Sequence, residues 1–486
     1  MDGKLKQKNL KITNTLTGKK EIFVPRDTHE VRFYLCGMTV YDHCHLGHAR
    51  SAIVFDTIRN YLEHVGWRVH FVKNFTDVDD KIIDRAKREG CDFQTIADRY
   101  IATYEKDMAR LKVRPPTLAP KATDHIIEMI ALISDQIKKG FAYEMEGDVY
   151  FEVSSFPAYG KLSGRNLEEM IAGGGGRVEV SERKKNPFDF ALWKATKAGE
   201  PFWESPWGKG RPGWHIECSA MAMKHLGQTI DLHGGGIDLI FPHHENEIAQ
   251  SESVTGEPFV GCWVHNGHVM IANEKMSKSL GNFFTIQEIF EKSGQFSETI
   301  IAEMLRFYLL STHYRSPIDF SDAALSEAKA GLDHFYTLFE KCEEVNSSAD
   351  DKNQSDLCNR YSNLFDAAMD DDFNTPEAIG ILQQFRREVN SRFDHLQNET
   401  QQILSLFQKL GAVLGLFQVA LKDWRYHEEP ASNDALSHSD IEVLLARRNQ
   451  ARANRDFAMA DQVRKELAKQ GIILEDRPDG TTRVKR

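Results

Sequence analysis

Apolar positions along the chain follow two rhythms. Val31 to Cys36 is a nearly unbroken apolar run and reads as a short buried strand, which Gly37 is expected to end. Shortly afterwards Ala52, Phe55, Ile58 and Leu62 recur at three- and four-residue spacing, predicting an amphipathic helix over residues 49–65. Strands are predicted at Gly147–Val153, Trp263–Ile271 and Gly471–Asp476, and Pro242 suits a helix start. Periodic Leu, Phe and Ala make residues 301–425 largely helical, with a polar loop at Asn346–Asp356. No internal repeat interrupts the pattern.

These elements predict an α/β chain in several parts. Residues 1–115 alternate strand and helix, as in the first half of a Rossmann-like, doubly wound nucleotide-binding domain. Pro115-Pro116 marks a break, and residues 116–212 form an inserted connective region. Its run Gly173–Gly176 lacks a following Gly-Lys-Ser/Thr and is therefore not a P-loop. Residues 213–300 return to the catalytic domain, 301–425 form a helical bundle, 426–440 a polar acidic linker, and 441–486 a small module.

Composition narrows the function classes. A chain of 486 residues with 41% hydrophobic and 27% charged residues is an ordinary globular protein of two to four domains. It lacks an 18-residue apolar run, and its first 20 residues have no apolar signal core, so no membrane and a cytoplasmic location are expected. Seven scattered cysteines suit reduced thiols; Cys44, Cys91, Cys262, Cys342 and Cys358 carry no assigned role. The net charge of −11 argues against a nucleic-acid partner until its distribution is considered. Residues 446–486 hold eleven Lys/Arg against six Asp/Glu, a surplus of five positive charges, so the rest of the chain carries −16. A basic module thus follows an acidic body.

Two constellations carry chemistry. His45-Leu46-Gly47-His48 lies at the start of the predicted helix, and its histidines, three apart, share a face. A helix N-terminus favours an anion, and Gly47 lets a nucleotide lie against the backbone. Far downstream, Lys275-Met276-Ser277-Lys278-Ser279 places two lysines on a polar stretch before Leu280-Gly281-Asn282, suited to a triphosphate. The second constellation could bind metal. Cys36, Cys218 and the run His243-His244-Glu245-Asn246-Glu247 offer thiolates, imidazoles and carboxylates. His243 and Glu247 fall at i and i+4, but His244 and Glu245 serve equally on spacing alone. Asp77, Asp79 and Asp80 read chiefly as helix-capping and charge-pairing residues.

Together these motifs resemble the cysteinyl-tRNA synthetases, class I aminoacyl-tRNA synthetases. The resemblance rests on Cys36-Gly37-Met38-Thr39-Val40-Tyr41-Asp42, on Asn74 to Lys81, on Gly213 to Cys218, and on His233 to Asp238. Lys275 to Asn282 and His313-Tyr314-Arg315-Ser316-Pro317 add to it. It implies one Zn2+ per subunit on Cys36, Cys218, His243 and Glu247, taking the substrate thiolate as a further ligand. That suits the chemistry: shape alone separates isosteres poorly, whereas a borderline-soft metal prefers thiolate to hydroxyl. It further implies that ATP, with Mg2+, meets His45, Gly47, His48 and Lys278, Lys275 assisting in catalysis. Gly37, Thr39, Thr76, Trp214 and Asp238 become cysteine-pocket residues. L-Cysteine is activated to cysteinyl-adenylate and passed to tRNA(Cys), whose anticodon meets the basic tail; the enzyme is expected to be a monomer. Two departures are mild, Leu46 for isoleucine and Met38 for proline. A third, Arg483 where tryptophan is usual, touches the anticodon contact. The alternatives are a ligase passing activated cysteine to an amino sugar, as in mycothiol biosynthesis, and a non-catalytic RNA-binding or zinc-scaffold derivative. The basic tail argues against the first, and the intact motifs against the second.

Overall fold

The computed structural model describes residues 9–165, 184–272, 274–275, 284–345, 355–425, 438–454, 456–469, 472–476 and 482–485. A hairpin, β1 (Lys11–Asn14) and β2 (Lys19–Ile22), precedes β3 (Glu30–Thr39), α1 (Leu46–His64) and β4 (Arg68–Thr76). Helices α2 (Asp80–Glu89) and α3 (Phe93–Arg110) follow. The insertion comprises α4 (Ile126–Lys138) and an antiparallel sheet in sequential order: β5 (Ala142–Met145), β6 (Asp148–Phe151), β7 (Phe190–Ala195) and β8 (Gly210–Pro212). The chain then returns through α5 (Trp214–Leu226), β9 (Ile230–Gly236), α6 (Glu245–Thr255) and β10 (Val260–Asn266).

The central sheet has the order β10-β9-β3-β4, with every pairing parallel. Strand order reverses between β3 and β9, so a crevice opens at their carboxyl ends, where α/β folds bind ligands. Period-two alternation along β3 decides which side chains reach it. Val31, Phe33 and Leu35 enter the core around α1, whereas Tyr34 and Cys36 face the other core, with Ile216 and Cys218 of α5.

Beyond the sheet, β11 (Val269–Ile271) and β12 (Glu274–Lys275) form a hairpin, followed by α7 (Ile286–Lys292), α8 (Glu298–Leu310) and β13 (Ile318–Asp319), which pairs with β11. The bundle contains α9 (Asp322–Glu344), α10 (Asp356–Asp370), α11 (Thr375–Ser391), α12 (Thr400–Leu414) and α13 (Leu421–Arg425). The tail holds α14 (His438–Ala453), α15 (Phe457–Lys469) and the antiparallel pair β14 (Ile473–Asp476) and β15 (Thr482–Lys485), around its own small core of Ile441, Val463, Leu467, Ile472 and Leu474.

Three sequence expectations need correction. Gly37 does not end β3: the strand continues to Thr39 through a register shift between Leu35 and Met38. A Cβ at Gly37 would lie 1.6 Å from the carbonyl oxygen of Asn74, so glycine permits the close approach that continues the strand. The predicted strand Trp263–Ile271 is two, because Gly267 donates to the Tyr314 carbonyl (2.8 Å) and the chain leaves the main sheet there. Pro242 does not start α6. Residues 240–244 form a wide turn with Phe241 extended, and the helix begins at Glu245.

A buried ion pair joins the catalytic core to the bundle. Arg306 of α8 meets Asp56 of α1 at 2.8 Å, and both are essentially inaccessible. Nη1 and Nη2 also reach the carbonyls of Leu414, Leu111 and Lys112. Removing one partner of such a pair strands the other, so Arg306→Leu is expected to destabilise the chain by about 3–5 kcal/mol, measured by urea unfolding. A loss under about 1 kcal/mol would contradict this account.

Candidate active site

The site forms where β3, β4 and β9 end. His45 precedes α1, and its Nδ1 accepts the Gly47 N–H at 3.0 Å; His48 Nδ1 accepts the His45 N–H at 3.3 Å. The two rings stack with centroids 3.7 Å apart. Because both Nδ1 atoms act as acceptors, the neutral rings carry their protons on Nε2. Each histidine therefore helps hold the helix start, beside the positive end of the α1 dipole.

The chain on either side of the lysine motif returns to this point. Lys275 lies in β12, its backbone paired with Met270, while Lys278 lies outside the described residues. On the far side of residues 276–283, Phe284 accepts the Leu46 N–H (3.1 Å), His45 pairs with Thr285, and Ile286 N–H donates to the Cys44 carbonyl. Both ends of the lysine segment are thereby fixed, one of them against His45.

Below lies a buried donor cluster. Cys36 Sγ is 3.5 Å from Cys218 Sγ and 3.3 Å from Glu247 Oε1; His243 Nε2 is 3.1 Å from that oxygen. Two overlapping sets have donor atoms within 4.8 Å of one another: Cys36, Cys218, His243, Glu247, and Cys36, His233, His244, Glu247. Zinc bonds of about 2.0–2.3 Å in a tetrahedron give edges of roughly 3.3–3.8 Å, so these separations suit a metal among the first set.

The surrounding imidazoles distinguish the sets. His233 Nε2 meets the other Glu247 oxygen at 2.8 Å. A chain runs from Thr15 Oγ1 to His265, to His244 Nδ1, and from His244 Nε2 to Cys36 Sγ at 3.3 Å. Each link can donate toward Cys36, an arrangement suited to a thiolate. For a metal on the first set, His233 and His244 stand where outer partners orient ligands. Burial pushes the Cys36 and Cys218 thiols upward and drives His215, His243 and His265 down to about 3. The histidines are neutral, as ligands must be, and a dication would offset the cost of two buried thiolates and a carboxylate.

Of the predicted pocket residues, Trp214 and Gly37 lie beside this cluster. Trp214, first in α5, is 39% exposed and stacks on His243 with centroids 4.4 Å apart; it is a wall, not a core aromatic. Thr76 pairs with Thr39 across β3 and β4, and its hydroxyl meets buried Glu217 at 2.7 Å. Gly37 N–H donates to Asn74 Oδ1 at 2.8 Å. Asp238, exposed after β9, places Oδ1 2.5 Å from where a Gly236 Cβ would stand. The aspartates stand aside: Asp79 caps α2 through the Lys81 N–H, Asp80 pairs with Lys194 and Arg211, and Asp77 accepts from Thr123. Sequence reasoning missed Asn74, Glu217, His215, His233 and His265. Their partners lie far away in the chain, so spacing carried no signal for them.

A family model described as the tRNA synthetases class I (C) catalytic domain matches residues 22–330. The Cysteine–tRNA ligase of Geobacter metallireducens is 52% identical, over 98% of this chain and 99% of that protein. The chain belongs to the cysteine–tRNA ligase family. The Cysteine–tRNA ligase of Pelobacter propionicus is 51% identical over 97% of this chain and 99% of its own length. Further family models, a DALR domain and a cysteinyl-tRNA ligase anticodon binding domain, match residues 364–418 and 437–482. A Mycobacterium tuberculosis methionyl-tRNA synthetase, solved with methionyl-adenylate, shares the fold at TM-score 0.59 and 15% identity, covering 80% of this chain and 89% of that one. Among the described residues no helix is long and apolar enough to cross a membrane.

The cluster makes a direct prediction. Cobalt(II) added to chelator-stripped protein is expected to produce thiolate-to-metal charge-transfer absorption. Cys218→Ser should weaken metal binding by more than the roughly 10–100-fold typical of losing an outer partner. Unchanged absorption in the variant would exclude Cys218 as a ligand.

Proposed function

We propose that this chain activates L-cysteine with ATP and transfers it to the 3′ end of tRNA(Cys), using zinc held by Cys36, Cys218, His243 and Glu247. The observation that carries the reading is the buried pair of thiols beside His243 and Glu247, roofed by the open face of Trp214. When bound, zinc supplies selection for a thiolate over a hydroxyl and lowers the substrate thiol pKa. The protein's own groups do the rest. Trp214 walls the pocket, while Thr76, Thr39, Gly37 and Asp238 offer polar groups to the amino acid.

ATP lies along the N-terminus of α1, with Mg2+ accompanying its phosphates. His45 and His48 direct Nε2–H donors at the phosphates, and Gly47 admits the nucleotide to the backbone. The cysteine carboxylate attacks the α-phosphorus, and pyrophosphate leaves. Lys278, with Lys275, neutralises charge on the departing β- and γ-phosphates. Such a step depends on positioning and charge stabilisation more than on covalent help. The terminal ribose hydroxyl of the tRNA then attacks the adenylate carbonyl, releasing AMP. The tail from 441 to 486 takes the anticodon, and the insertion at 116–212 helps position the acceptor end.

Aminoacylation of a total tRNA pool with labelled cysteine, serine as control, tests the whole reading; cysteine transferred to one tRNA species is expected. Lys278→Ala should lower kcat for cysteine-dependent ATP–pyrophosphate exchange roughly 10²–10³-fold, leaving KM for cysteine within about twofold. An unchanged exchange rate would remove Lys278 from the clamp. Ending the chain at residue 430 should spare exchange, raise KM for tRNA and flatten its salt dependence. Undiminished charging by that shortened chain would refute the tail's role.

A further inference from the structure

The stretch His313-Tyr314-Arg315-Ser316 takes no part in the chemistry above, yet it lies where three parts of the molecule meet. Its backbone forms the root of the lysine hairpin. Gly267, just before β11, donates to the Tyr314 carbonyl at 2.8 Å, and Ile318 N–H donates to the His268 carbonyl at 3.0 Å. A Cβ at Gly267 would come within 2.6 Å of the Ser316 carbonyl oxygen, so the two backbones touch with no side chain between them. Arg50, two residues beyond His48 in α1, closes over the same root. Its guanidinium, fully buried, reaches the carbonyls of His268 (2.6 Å), Tyr314 (3.3 Å) and Ser316. The root of β11–β12 is therefore fastened directly to the helix that bears His45 and His48.

Residues 313–316 are fixed from the bundle and from β1, where the Thr13 carbonyl accepts from Arg315 at 3.2 Å. Tyr314 is buried, and its hydroxyl donates to Asp372 Oδ1 at 2.7 Å. Asp372 lies in the turn between α10 and α11, and its carboxylate also accepts the Thr13 N–H (2.8 Å) and the Thr13 hydroxyl (2.5 Å). Asp372 and Phe373 both adopt left-handed backbone, with φ of 63° and 52°. That conformation is uncommon for aspartate and unfavourable for phenylalanine, and it persists where the surroundings over-determine it. Here it is held by the Asp372 N–H on the Lys11 carbonyl (2.8 Å) and the Phe373 N–H on the Met369 carbonyl (3.0 Å).

We propose that Asp372, acting through the Tyr314 hydroxyl, is a positioning residue for activation: it sets the 313–316 backbone on which Arg50 and Gly267 close, and so fixes the lysine hairpin against the start of α1. The proposal rests on the reading of Lys275 and Lys278 as phosphate-facing groups. It gives the bundle a direct hold on the activation step, through one hydrogen bond and one stretch of backbone.

Tyr314→Phe removes the linking oxygen and little else. In cysteine-dependent ATP–pyrophosphate exchange it should lower kcat by roughly ten- to a hundredfold, the scale of a small misplacement of reacting groups, with KM for cysteine within about twofold. Thr13→Val is the matched control. It takes a different hydrogen bond from the same carboxylate and keeps the Thr13 carbonyl that accepts from Arg315 at 3.2 Å, so it should lower the unfolding midpoint while keeping kcat. Should Tyr314→Phe not fold, Asp372→Asn is judged by the same readouts. A wild-type kcat in the Tyr314 variant, or an equal kcat loss in Thr13→Val, overturns the proposal. Wild-type protein without any exchange overturns the proposed function, and this inference with it.

Discussion

Helix α1 runs through the interior with twelve of its nineteen residues buried, so its polar side chains have no water to turn to. Several find partners on other elements, and those partners define the architecture. Arg50 takes the carbonyls at the root of the lysine hairpin, Asp56 takes Arg306 of α8, and Asn60 takes the Val413 carbonyl of α12. Tyr61 and His64 reach Asp370 and Asp366 of α10. One helix thus carries the two histidines at its tip and indexes the hairpin, the α8 region and the bundle along its length. Arg50 is the most exposed to error among these, since burial without a carboxylate pushes its guanidinium down to about 10. Carbonyl dipoles alone hold its charge.

The buried cluster of thiols, imidazoles and carboxylate obeys a related rule. Buried thiols and carboxylates are unfavourable as anions unless a cation and hydrogen-bond donors surround them. The imidazoles supply the donors: His233 to Glu247, His244 to Cys36, and His265 behind His244. Glu247 keeps a carboxyl pKa below its usual value although burial works against it, because His233 and His243 lie beside it.

The sequence made the central strands and α1 legible because their periodicities are strong and local. The side of the sheet to which Cys36 points follows from alternation with Tyr34. Element ends were less legible. Gly37 looked like a breaker, yet it is what allows β3 to pass Asn74, and that reason lies in a strand 37 residues away. Pro242 looked like a helix start, but the next turn is wide and α6 begins three residues later. Spacing could not choose between His243 and His244, since both reach the cluster; their second nitrogens meet different partners, His215 and His265.

The insertion has a consequence for how the protein is made. Cys36 and Cys218 stand 182 residues apart in the chain, and the antiparallel sheet of the insertion is synthesised between them. At roughly 5–20 residues per second, a ribosome needs on the order of ten to forty seconds to travel from one thiol to the other. Throughout that interval β3 and β4 can pair, but β9, which covers the opposite edge of β3, does not yet exist. The nascent chain therefore carries an open strand edge with a reactive thiol on it, and contacts of such long range form slowly once they can. The insertion's sheet pairs only neighbouring strands, β5 to β8 in order. It can complete itself during the wait, bringing Gly213 and α5 back to the edge of the site as a finished unit.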